Sequence, residues 1–200
     1  MSDTRSLRER LREQTSRQIH TAVRELSAEI GFDRVTVDLI STRAGISPRT
    51  FFNYFPSKES ALLDSPPVQL RGEHAIRFAE GPVSGPSDVL VELTRTLLDQ
   101  LAEEPPDRAG ARTIFQIATE HPTVFAALVA QLDTVRLELS RAVAQRLGSD
   151  ADPQLPDLVA SVAMASVRSG LEAWVAGEGD SPVPYVRHAV ELMQTLTSPR

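Results

Sequence analysis

The chain contains no cysteine, which removes disulfide frameworks, thiolate nucleophiles and cysteine-based zinc or iron–sulfur centres. Histidine is scarce as well. His20, His74, His121 and His188 are far apart, without the H-x-x-x-H or Glu-x-x-His spacing that holds a metal or pairs a base with a nucleophile. No glycine-rich phosphate loop is present. The adjacent carboxylates Glu103 and Glu104 run into Pro105 and Pro106 and read as a solvated helix end. No metal, no cofactor and no catalytic apparatus is therefore expected, and the chain does not read as an enzyme. Long apolar runs are missing too. The N-terminus mixes Arg5, Arg8, Arg10 and Arg12 with Asp3, Glu9 and Glu13, which is no signal peptide. The longest charge-free apolar stretch near the C-terminus, Leu158 to Val167, is too short to cross a bilayer. A cytoplasmic protein is expected.

What remains is ordinary globular material. The 200 residues are 41% hydrophobic and 24% charged, enough to bury a core in one domain or two. The formal net charge of -6 argues against a nucleic-acid partner, whose usual footprint is basic. That figure averages two unlike segments. Residues 1–63 carry ten basic and eight acidic side chains, whereas residues 64–200 carry eleven and nineteen. The asymmetry points to a division of labour at about residue 63.

Proline supplies the punctuation. None of the 14 prolines falls in residues 1–47, and most of the others cluster in short loops between segments whose apolar residues recur at three and four. No segment alternates with period two, so the fold is expected to be all-α. Ile19, Val23, Leu26 and Ile30 form one stripe on a first helix that ends at Gly31. Thr36 is placed to cap a second helix, on which Val37, Ile40 and Ala44 face inward. Gly45 breaks the chain. Ser47 and Pro48 then start a third helix running to about Phe55, and Ser57 caps a fourth.

Two short helices joined through Ala44-Gly45-Ile46-Ser47 have the layout of a helix-turn-helix. On the third helix Phe51 and Phe55 share one face, and Arg49 and Asn53 point the opposite way. Arg49 can bond guanine, Asn53 adenine, and the methyl of Thr50 can meet a thymine methyl. Tyr54 and Lys58 sit where phosphate contacts would fix the docking register. On pattern alone, DNA binding stands level with a small helical bundle that has a solvated polar face.

The stretch from Thr36 to Glu59, TVDLISTRAGISPRTFFNYFPSKE, closely resembles the DNA-binding signature of the TetR family of bacterial transcriptional regulators. With the preceding helix, the resemblance covers about residues 10–63. Two departures are visible: Ser27 where the family usually has a bulky aromatic, and Phe52 where a tyrosine is common, so that Phe52 is expected to pack or to contact sugar and methyl groups rather than a phosphate. Carried over by position, the resemblance implies that Thr36 and Arg43 approach the DNA backbone. It implies that Ser47, Arg49, Thr50 and Asn53 read base edges or adjacent phosphates, and that Tyr54 and Lys58 grip phosphates. The four N-terminal arginines would form an arm reaching a neighbouring groove, or a frayed solvated terminus. A three-helix DNA-binding head over 1–63 and a helical sensing and dimerisation domain over 64–200 follow from it.

The C-terminal segment carries no comparable motif. Residues 155–177 hold only Asp157, Arg168 and Glu172 as charges, and a helix apolar nearly all round must be covered on nearly all sides. A partner subunit is one cover, so a homodimer is expected through about 155–177 and 184–197; the other reading makes the first of these the core helix of a monomer. In the family an inducer binds among the middle helices. The candidate lining residues for such a small-molecule effector are Phe78, Phe115, Phe125, Met164 and Trp174, with Arg112, Gln116, His121 and Arg168 as polar contacts. The expected function is a ligand-responsive repressor that binds a near-palindromic operator. An activator, a ligand-independent regulator and a sensing scaffold with a vestigial head remain open alternatives.

Overall fold

A computed structural model describes residues 7–63 and 69–197, and among these every regular element is a helix, as the sequence predicts. The α-helices are α1 (Leu7–Ile30), α2 (Val37–Ala44), α3 (Pro48–Phe52), α4 (Lys58–Leu62), α5 (Gly72–Ala79), α6 (Pro86–Glu103), α7 (Arg108–Glu120), α8 (Pro122–Leu147), α9 (Leu155–Ala176) and α10 (Val183–Thr197). A single 3-10 turn, Phe32–Arg34, lies between α1 and α2. The expected caps are in place: the hydroxyl oxygens of Thr36, Ser47 and Ser57 accept the N–H of Leu39, Thr50 and Ser60. Gly45 ends α2 at φ 68°, the left-handed conformation that a residue with a Cβ adopts only at a cost.

Two readings need correction. Helix α3 stops at Phe52 rather than near Phe55, because Asn53 and Tyr54 form a turn. Arg8, Arg10 and Arg12 belong to α1 and not to an extended arm; Arg5 lies outside the described residues.

The chain divides into two compact units, and the division does not follow the sequence in order. The first unit combines the residues up to 65 with Thr113–Val129. Its core gathers Ile19, Val23, Leu26, Phe32, Ile40, Phe51 and Leu62, and the returning segment adds buried Ala118 and Val124. At the corner between α7 and α8, the His121 ring meets Phe32 edge-on, centroids 5.3 Å apart, and its Nδ1 lies 3.4 Å from Asp33. A head of about 60 residues buries only a modest share of its surface, so a returning segment that closes its core adds what the local sequence cannot.

The second unit holds residues 66–112 and 130–200. Helix α9 packs against α6 and α10. Ala160, Ala163, Val167 and Trp174 are buried on α9, with Leu93 and Leu97 from α6 and Val186, Val190 and Met193 from α10 in the same core. Helices α9 and α10 approach closely at Gly170, where an added Cβ would lie 2.3 Å from the Cα of Val186. By length and composition α9 as a whole is long and apolar enough to span a membrane, although its charge-free stretch is not. The face it buries in this core accounts for part of that composition. A second tie is Arg146 on α8, which is wholly buried. Its guanidinium donates to the carbonyls of Pro82 and Phe78 at 2.9 Å each and to Glu92 at 2.5 Å. The bond from Arg146 holds the Glu92 carboxyl below its ordinary pKa.

Candidate nucleic-acid interface

The local sequence sets α3 apart. Ser47 caps it, Pro48 occupies the first turn where its missing N–H costs nothing, and the helix is anchored by Phe51, which is 0% exposed. The remaining side chains divide by rotation about that anchor. Arg49 and Asn53 are exposed, and Thr50 and Tyr54 are half-buried at the flanks. Thr50 and Ser47 share a hydroxyl–hydroxyl bond of 2.8 Å, which steadies the first turn. The α1 residue Arg12 reaches across to the Tyr54 ring, its guanidinium carbon 5.9 Å from the centroid. His20 fixes α1 to the end of α4, with its Nδ1 2.7 Å from the carbonyl oxygen of Ala61.

Two cations expected on phosphates are occupied inside the head. Arg43 forms a fork with Glu29, at 2.9 and 2.7 Å, and a third bond to Glu25 at 3.2 Å. The same bonds raise the pKa of Arg43 and lower that of Glu29. Lys58 donates to the carbonyls of Phe32 and Val35, both at 3.0 Å, and its ammonium lies 4.5 Å from the centre of the Phe32 ring. It therefore closes the 3-10 turn onto the start of α4. Sequence spacing could not reveal either engagement, because the partners lie between 14 and 26 residues away.

Phe52, expected to pack or to meet sugar and methyl groups, stands at the flank of the exposed side of α3, one residue beyond the buried Phe51 and 57% exposed.

The nine residues expected around an effector fall in two units. Phe115, Gln116, His121 and Phe125 belong to the first, and Phe78, Arg112, Met164, Arg168 and Trp174 to the second. Within the second, Phe78 and Trp174 are fully packed in the core, and the Trp174 indole donates to the Gly179 carbonyl at 2.9 Å. Arg112 donates to Val175 near the end of α9 at 2.8 Å, a favourable place for a cation. Arg168 is exposed beside Glu172. Met164 is half-buried against the core. In the first unit an open groove of about 430 Å³ lies between α1 and α2, lined by Gln14, Arg17, Gln18, Thr21, Glu25 and Arg43 among others. None of the nine lines it.

A capped short helix, held by a left-handed glycine turn against its predecessor and carrying Arg, Thr and Asn outward, makes this a helix-turn-helix DNA-binding protein. A family model described as bacterial regulatory proteins, tetR family, matches residues 19–64, and one described as the MftR C-terminal domain matches residues 87–197. The second alone covers more than half of the chain. The chain belongs to the TetR family and is a DNA-binding transcriptional regulator. It is 26% identical over 174 residues to the HTH-type transcriptional regulator TcmR of Streptomyces glaucescens, across 84% of this chain and 76% of TcmR. Among solved structures it is similar to the repressor FadR of Thermus thermophilus in complex with lauroyl-CoA. That match has 23% identity and a TM-score of 0.49, and covers 92% of this chain and 96% of that one. GusR of Salmonella enterica matches with 25% identity and a TM-score of 0.46, over 92% and 93% of the two chains.

Proposed function

We propose that this regulator is a cytoplasmic homodimeric repressor that sets one α3 helix into each half of a near-palindromic operator and lets go when a small molecule binds its C-terminal domain. The observation that carries the reading is the outward face of α3, where Arg49 and Asn53 are exposed around the buried Phe51. Arg49 reads a guanine and Asn53 an adenine, and the Thr50 methyl lies against a neighbouring base. Thr36 and Ser47 meet the backbone, Thr36 with a hydroxyl hydrogen left over after its oxygen has capped α2. Tyr54 adds a phosphate contact at the flank. Arg43 and Lys58 act at one remove, by holding α2 and α4 in place. Half-sites then lie about 34 Å apart, or a multiple of that, on one face of the duplex.

The dimer reading is supported by an exposed apolar strip on the last two helices. Leu158 and Ala165 on α9 are exposed, as are Leu192 and Leu196 on α10. Ala163 lies inside the chain's own core, so Ala165 is the position that tests association. A charged Ala165→Glu variant should sediment as a monomer while keeping its helical content; a stable variant dimer would place the interface elsewhere. Effector binding couples to DNA release by about 1–3 kcal/mol. Selection of bound sequences from random DNA tests the central claim. A two-fold-related consensus is the expected result, with binding that weakens steeply as salt rises. Salt-sensitive binding without any consensus would reduce α3 to a phosphate contact.

A further inference from the structure

Beside the exposed Arg49 and Asn53, α3 carries an aromatic side chain that is exposed as well. Phe52 is 57% exposed. On a helix advancing about 100° per residue, it lies about 60° from Arg49 and about 100° from Asn53, on the flank beside the sector those two side chains define. Its ring meets Phe51 edge-on, with centroids 5.4 Å apart and planes at 88°. Phe51 is wholly buried, whereas beyond that contact the Phe52 ring is largely open to solvent. A single exposed phenyl ring is ordinary on a protein surface; what distinguishes Phe52 is its place beside Arg49 and Asn53, where a duplex docked on α3 would cover it and return the free energy of burial.

The chemistry of that partner is narrow. A phenylalanine has no hydroxyl, so it can neither donate to a phosphate nor bond a base edge. In the major groove the apolar group displayed on a base edge is the thymine 5-methyl. We propose that Phe52 is a specificity residue that covers the 5-methyl group of one thymine in each half-site, next to the base pairs addressed by Arg49 and Asn53. The inference rests on the base-reading role proposed for α3 and adds to it a position read by shape and not by hydrogen bonds. A contact to deoxyribose would satisfy the ring equally well but would carry no sequence information.

Exchanging thymine for uracil deletes the methyl group and leaves pairing and the hydrogen-bonding edge intact. The full-length protein is therefore titrated against its selected operator with each thymine replaced by deoxyuridine in turn. At one position per half-site the affinity should fall about fourfold, the effect of uncovering one methyl group. Phe52→Ala, which uncovers a methyl group in both half-sites of the dimer, should bind the unmodified operator about sixteenfold more weakly and show no response to uracil at that position. Phe52→Tyr, which keeps the ring, should keep the response. A flat uracil scan of the unmutated protein overturns the proposal, whatever the variants do. So does a response that persists in Phe52→Ala, once a melting curve has shown that variant to be folded. Failure to select any consensus is a different outcome, because it removes base reading by α3 altogether and this proposal with it.

Discussion

The two units put the same chemical group to opposite uses. In the second unit Arg146 is wholly desolvated and spends its guanidinium on two backbone carbonyls and Glu92. In the first, Arg49 stands exposed, with no ion pair to it among the described residues. A buried cation is tolerable only when its N–H groups are matched, and once matched it ties distant segments together. An exposed cation remains available to a duplex. What separates the structural from the functional arginine is therefore burial and partners, which the residue letter alone does not disclose.

The sharpest way to break this comparison is to remove the buried member. Arg146→Met fills much of the volume but leaves the carbonyls of Phe78 and Pro82 and the Glu92 carboxylate without their donor. We expect a loss of about 3–5 kcal/mol in urea unfolding, with the core around α9 most affected. The pair also has an acid signature. Because the folded-state pKa of Glu92 is lowered, its contribution is complete above the ordinary carboxylate range and is lost as pH falls through the lowered value. A stability profile of Glu92→Gln should lack that part of the acid decline; an unchanged profile would show that the pair contributes little.

Removing the exposed member should reverse the pattern. Arg49→Ala is expected to leave the melting temperature in place and to cost about 1–3 kcal/mol of specific binding, concentrated at one operator position. A uniform loss on all sequences would reassign Arg49 to the backbone.

Lys58 lies between these extremes, half-buried with two of its three N–H groups turned to the Phe32 and Val35 carbonyls. Lys58→Ala should cost about 1–2 kcal/mol of head stability, through lost charge-assisted bonds and the contact with the Phe32 ring. The salt slope of DNA binding should change by less than the one unit that a phosphate contact contributes. A full unit would return Lys58 to the duplex.

These contrasts also mark what the sequence makes legible. The caps at Thr36, Ser47 and Ser57, the turn at Gly45 and the inward Phe51 depend on neighbours within four residues, and spacing alone predicts them. Net charge misleads at first because it averages a mildly basic head with an acidic body. Three features lie beyond pattern reading. Ala118 and Val124 return to complete the head, Arg43 turns back to α1, and Lys58 points inward. Each depends on residues brought together by folding and distant along the chain. The division at residue 63 missed the returning segment for the same reason.

The smallest expected effect concerns Arg43, whose partners Glu25 and Glu29 are themselves exposed. Exposed pairs contribute little to stability, so Glu25→Gln with Glu29→Gln should leave the melting temperature nearly unchanged. The same change frees a guanidinium and removes two negative charges from the DNA-binding head. Binding at low salt should tighten, and the salt dependence should steepen by about one unit as Arg43 takes a phosphate. The gain should fade as ionic strength rises, since screening acts on exposed charges first. An unchanged slope would mean that Arg43 stays turned toward α1 even without its carboxylates, and that its work is to orient α2. A steeper slope would mean that two carboxylates hold a ready DNA contact in check, so that the line between structural and functional cations is drawn by neighbours that two substitutions can change.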